Sequence, residues 1–210
     1  MELGMHNQFG LLEFSAIGEM ANIGLGHATT ALSEIAGKPF NMSIPSVDSV
    51  ALESAYTLVG GPDELTVCTY MPFDGDANGH TAFLFPWKGA CELWDILVGS
   101  HPESPDEVDE LYASAMLEVG NILNSNFLNA IADMADVRMA AMPPSVSIES
   151  AVAILNSLVA EAEMNERVAL AIETTIYPMG ADEVQGVFLC IPDLNGLKVL
   201  FRKLGIEEAA

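Results

Sequence analysis

The chain has 210 residues, half of them hydrophobic, with 30 acidic and 7 basic side chains and a formal net charge of −23. That apolar fraction excludes a disordered acidic tail and is enough for a core without disulfide or metal staples. The charge excludes nucleic acid as a partner, because no basic face exists to displace counterions from phosphates, and it disfavours an anionic membrane surface.

In chain order, apolar residues three and four apart predict a helical stretch over 11–35. Gly24 and Gly26 are expected to break it in two, since a glycine costs about 1 kcal/mol in a helix interior. Residues 40–44 read as a strand stopped by Pro45, a proline expected to shape the turn that follows. Residues 46–58 read as a helix capped by Ser46. Strands follow at 65–70 and 79–85, joined by the turn-rich 74–79. A short amphipathic helix closes the half at 88–98, with Trp87 and Trp94 as packing residues. The halves divide at 101–105, ahead of the acidic helix start at 106–110.

The second half repeats the first. Ser15, Glu19 and Asn22 recur 99 positions on as Ser114, Glu118 and Asn121, and Pro45-Ser46 recurs as Pro144-Ser145. The apolar stripe Phe14, Ile17, Ala21, Ala28, Ala31, Leu32 and Ile35 maps onto Ala113, Met116, Gly120, Phe127, Ala130, Ile131 and Met134. The run from Gly79 to Pro86 is matched by that from Gly186 to Pro192, with an insertion near 156–167 absorbing the larger offset. A long central strand is expected at 168–177 and a last helix at 194–204. The reading is an α+β fold: two pseudo-symmetric repeats, 1–105 and 106–210, sharing an antiparallel sheet flanked by helices. It is one compact unit, a monomer with pseudo-two-fold symmetry.

No apolar run reaches the ~18 residues of a membrane-spanning helix. Residues 1–10 show neither a basic nor an apolar signal-peptide region. Cys68, Cys91 and Cys190 are odd in number and far apart, which suits buried thiols in a reducing cytoplasm. His6, His27, His80 and His101 are scattered, so no metal site and no cofactor of the chain's own is expected. Met71, Met134, Met139, Met142 and Met164 read as core fillers.

One polar stripe is not explained by helix stability. Ser15, Glu19, Asn22 and Gly26 follow steps of four, three and four, and so do Ser114, Glu118, Asn121 and Ser125. Each set falls on one helix face, opposite the apolar stripe. Asparagine is a poor helix-interior residue because its amide competes with the backbone. Its persistence in both halves, where neighbours such as Gly18 and Leu117 differ, points to a selected site.

The doubled pattern Ser-x3-Glu-x2-Asn-x22-Pro resembles the CheC family, and the resemblance extends over about 12–204. It implies a chemotaxis protein of two-component signal transduction that hydrolyses the phospho-aspartate of the response regulator CheY. An acyl phosphate is already activated, so what such a site must add is a water held in line. The resemblance assigns that task to Asn22 and Asn121, and docking on a lysine of the receiver to Glu19 and Glu118. Ser15, Ser114, Pro45 and Pro144 match the pattern as supporting residues. Mg²⁺ is expected on the CheY partner. The resemblance also implies binding of CheD, the receptor deamidase. Two alternative functions come with it: a mainly non-catalytic CheD-binding adaptor, or a component of the flagellar switch.

Overall fold

A computed structural model describes residues 11–161, 168–180 and 182–203, of which 11–17, 45, 161, 168, 194, 195, 197, 198 and 201 are described by their backbone alone. The expected insertion lies partly, and the end of the expected last helix wholly, outside the described residues.

The first element, α1 (Leu11–Ala36), is one continuous helix of 26 residues. The expected break at Gly24 and Gly26 does not occur. Gly24 marks a helix crossing instead: a Cβ there would lie 2.8 Å from the Cα of Phe127 and 3.0 Å from the carbonyl of Asn126. Only a residue without a side chain allows that approach, and the contact outweighs the weak helix propensity of glycine. The partner helix, α3 (Glu110–Ala135), also has 26 residues and starts on the side chain of Asp109, which accepts from the backbone N–H groups of Leu111 and Tyr112. Both helices end on a left-handed residue, Gly37 after α1 and Asp136 after α3, 99 positions apart.

After α1 the chain runs through β1 (Phe40–Ala51), a 3₁₀ helix (Leu52–Val59), β2 (Leu65–Gly75), β3 (Gly79–Pro86) and α2 (Trp87–Leu97). After α3 come β4 (Met139–Ala141), β5 (Ser145–Ser150), α4 (Ala151–Glu161), β6 (Val168–Pro178), β7 (Val184–Pro192) and α5 (Leu194–Lys203). All strand pairs are antiparallel, in the order β1-β6-β7-β3-β2, with β4 and β5 both on the free side of β2. The sheet therefore reads alike from either end. Its centre is the β3–β7 pair, where Phe83 faces Phe188. The first strand of each half lies at the outer edge of the other half's hairpin.

Helices cover both faces. On one face α1, α2 and α3 pack their apolar sides against Val67, Phe83, Phe85, Ile172 and Phe188. On the other, the 3₁₀ helix and α4 cover Cys68, Leu84, Ala171 and Leu189. Trp94 is fully buried and donates its indole N–H to the Tyr112 carbonyl at 2.9 Å, tying α2 to the start of α3. Met134 and Met142 are not core fillers; they are 37% and 44% exposed.

The expected helix at 46–58 is corrected. The strand continues to Ala51, and only then does the 3₁₀ turn begin. Ser46 caps nothing; its hydroxyl donates to Glu173 of β6 at 2.9 Å. The strand owes its length to pairing with β6, a partner more than a hundred residues away. The prolines are likewise not turn residues after a strand. Pro45 falls in the register shift of β1 between Ser43 and Ser46, and Pro144 in the gap between β4 and β5. Proline lacks the N–H that a ladder needs, so it is accommodated at bulges of edge strands. Both edges of this sheet carry one.

Candidate functional site

Glu19, Asn22 and Gly26 are exposed on α1, and Ser114, Glu118 and Asn121 are exposed on α3, with Ser125 half-buried beside them. Residues three and four apart lie on adjacent turns, so each Glu/Asn pair addresses one patch of solvent. Ser15 lies on α1 one turn before Glu19, and its placement, like that of Pro45, is of the backbone alone. Pro144 is half-buried at its bulge. The faces behind the pairs are buried: Ala21, Leu25, Ala28 and Leu32 on α1, Met116, Val119, Leu123 and Phe127 on α3. His27 is simply exposed.

The two asparagines are held differently. Asn22 donates its Nδ2 to the carbonyl of Gly18, one turn back, at 2.9 Å. Asn121 accepts at its Oδ1 from the hydroxyl of Ser125, one turn on, at 3.4 Å. The position of Ser125 is filled in α1 by Gly26, where an added Cβ would meet nothing within 4 Å. Val47, resuming β1 after the bulge, sets its Cγ2 3.8 Å from where a Cβ of Gly18 would stand.

The supports differ too. Beneath Asn121, Gly120 lies so close to β2 that a Cβ would be 2.4–2.8 Å from the side-chain atoms of Thr69. Asn124, wholly buried, donates its Nδ2 to the Gly120 carbonyl at 2.7 Å. The Oδ1 of Asn124 and the Oγ1 of Thr69 are both buried without a hydrogen-bond partner among the described residues. The matching positions of the other half are Ala21 and Leu25, and in the sheet Ile172, which faces Phe188 as Thr69 faces Phe83. All three are buried and apolar. This polar support is missing from the sequence reading, although an asparagine within the apolar stripe of α3 was a visible signal for it.

Neither of two concave pockets, one lined by Leu58, Glu173 and Gln185 and the other by Lys88, Glu92 and Asp182, includes a residue of either pair. Among the described residues no group of three or more His, Cys, Asp or Glu is placed to hold a metal ion. Cys68 and Cys190 are buried, and burial pushes the Cys190 thiol up to about 12. Cys91 is only half-buried, with its thiol raised by desolvation and by Asp95 and Glu92. Among the described residues, no helix is long and apolar enough to cross a membrane.

Each exposed helix face offers solvent a carboxylate, which accepts hydrogen bonds, and a neutral amide, which both donates and accepts. Fold and helix faces thus define a pseudo-symmetric α/β/α protein with one exposed Glu/Asn pair on each long helix. Comparisons with known proteins point to one family in sequence and to related folds in structure. Residues 12–48 match the model of the CheC-like family. The chain is 25% identical over 190 residues to the CheY-P phosphatase CheC of Bacillus subtilis, covering 89% of this chain and 91% of that protein. The crystal structure of Thermotoga maritima FliY superposes with a TM-score of 0.77 at 18% identity, covering 94% of this chain and 98% of the other. The FliM middle domain of H. pylori does so at 0.68 and 9% identity, covering 93% and 99%. The chain is CheC-like in sequence and has the fold of these proteins.

Proposed function

We propose that the protein is a phosphatase of chemotaxis signalling that hydrolyses the aspartyl phosphate of a CheY-type receiver, with one site on α1 and one on α3. The observation that carries the reading is the recurrence of an exposed Glu/Asn pair on both long helices, in a chain similar to a CheY-P phosphatase.

The chemistry needs little from this chain. Water attacks phosphorus in line, the acyl P–O bond breaks, and the products are the receiver's carboxylate and inorganic phosphate. The metal that neutralises phosphoryl charge would come with the receiver, as would the aspartate. The amide of Asn22 or Asn121 accepts a hydrogen bond from the attacking water and donates one to a phosphoryl oxygen. Holding the water there removes much of the entropic barrier. Glu19 or Glu118 pairs with a receiver lysine and sets the register of docking.

Two other readings come with the family: capture of CheD, and a part in the flagellar switch, which has the fold likeness to FliM on its side. Neither requires the asparagines. The test is phosphate release from a phosphorylated CheY-type receiver with and without the protein. The expected result is acceleration that Asn22→Ala with Asn121→Ala removes. Acceleration that survives the double replacement would overturn this mechanism, and its absence from the wild type would favour the non-catalytic readings.

A further inference from the structure

We propose that Asn124 and Thr69 are positioning residues for the second Glu/Asn pair and for that pair alone, an inference that rests on the phosphatase reading above. Gly120 immediately precedes Asn121, and its carbonyl takes both the helix bond from the Asn124 backbone and the Asn124 side-chain amide at 2.7 Å. The same residue is seated against Thr69 closer than any side chain would allow. The turn that presents Asn121 is thus fixed to β2 from beneath.

Stability does not account for this arrangement. Two buried polar atoms lack partners among the described residues, and each such atom in a native structure calls for a reason. The other half shows what the fold itself asks for: Ala21, Leu25 and Ile172, apolar and buried, fill the same three places. A sequence that breaks a local rule in one repeat and keeps it in the other marks the broken one as functional ground. The pair it serves differs as well: Asn121 is also engaged from above, by Ser125, where α1 carries Gly26.

The test is Asn124→Leu, which installs the first-half residue, with Thr69→Val as an isosteric second variant should the leucine not be accommodated. Each is made in an Asn22→Ala background, which isolates the second site, and in an Asn121→Ala background, which isolates the first. Expected are a kcat at the second site lowered about tenfold, a KM for phospho-receiver within about twofold, an unchanged first site and an unchanged or raised Tm. A merely structural role would instead lower Tm and disturb both sites. Equal losses at both sites, or an unaltered second site in an active protein, would overturn the proposal while leaving the phosphatase reading intact. A wild type without activity would refute that reading instead. The side-chain amide resonance of Asn121 then decides the positioning role: it moves in Asn124→Leu while that of Asn22 stays, and an unmoved Asn121 signal overturns the inference.

Discussion

α1 and α3 present the same Glu-x-x-Asn face on different foundations. Behind the pair on α1 the buried residues Ala21, Leu25, Ala28 and Leu32 are apolar, and Asn22 leans back on its own helix. Behind α3 a glycine, a threonine and an asparagine take the place of apolar residues, and Asn121 is engaged by a neighbouring serine. A duplicated fold relaxes the demand on each copy: once one repeat supplies an ordinary core, the other is free to place polar groups where they serve the surface. The exposed face is the shared property, and the support is where the copies part.

The sharpest way to break the comparison is to remove each amide singly. If the two sites work alike, Asn22→Ala and Asn121→Ala each remove about half of the accelerated phosphate release, and the double variant loses about 100-fold. If the braced site dominates, Asn121→Ala alone approaches the loss of the double variant. Phosphate release under single-turnover conditions distinguishes the two.

Next in size is the helix crossing. Gly24→Ala drives a methyl group into the backbone of α3 and is expected to lower stability by about 1–3 kcal/mol. Gly26→Ala, two residues on and in open space, is expected to raise it by up to about 1 kcal/mol. Urea unfolding of both variants reads the difference; equal effects would mean that the crossing does not depend on Gly24.

These glycines also show how far the sequence was legible. The two polar faces and their apolar backs could be read because helical period survives in any context. So could the repeat, the antiparallel sheet and the strands of β2 and β3. What could not be read was set by distant partners. Gly24 reads locally as a breaker because the helix that demands it lies a hundred residues on. Residues 46–51 read as helix because nothing near them announces β6, the strand that pairs them. Pro45 and Pro144 read as turn residues because an edge-strand bulge exists only once the sheet is assembled. Thr69 comes to lie beneath Asn121 only through the close approach of Gly120 to β2.

A smaller effect comes from exchanging what stands one turn beyond each asparagine. Gly26→Ser supplies Asn22 with the hydroxyl that Asn121 has, and Ser125→Gly withdraws it. If Ser125 holds the amide oxygen of Asn121, Ser125→Gly loosens the second site by a few-fold in kcat, and Gly26→Ser shifts the first in the opposite sense. Measured in the single-site backgrounds, an exchange that alters neither site would reduce Ser125 to a surface residue.

The smallest effect is a pH dependence confined to one helix exit. The turns that follow α1 and α3 are each tied to a hairpin by one backbone bond, Met179 N–H to the Pro39 carbonyl at 3.0 Å and Asp76 N–H to the Arg138 carbonyl at 2.8 Å. Among the described residues, only the second is reinforced by charge. The Asp76 carboxylate accepts from the Arg138 N–H at 2.8 Å and lies 3.5 Å from its guanidinium. The backbone bond first, and then the side chain of Arg138, hold its pKa below the ordinary 3.8. A carboxyl lowered on folding contributes stability that is complete above its unfolded value and lost as pH falls through the folded one. The exit of α3 should therefore loosen below about pH 4, while the exit of α1, joined by Met179 and Pro39 with no ionisable side chain, does not. Amide exchange at Arg138 and Met179 between neutral pH and pH 3 measures this. Asp76→Asn should abolish the difference, and parallel loosening of both exits in the wild type would trace the effect to the whole molecule rather than to this ion pair.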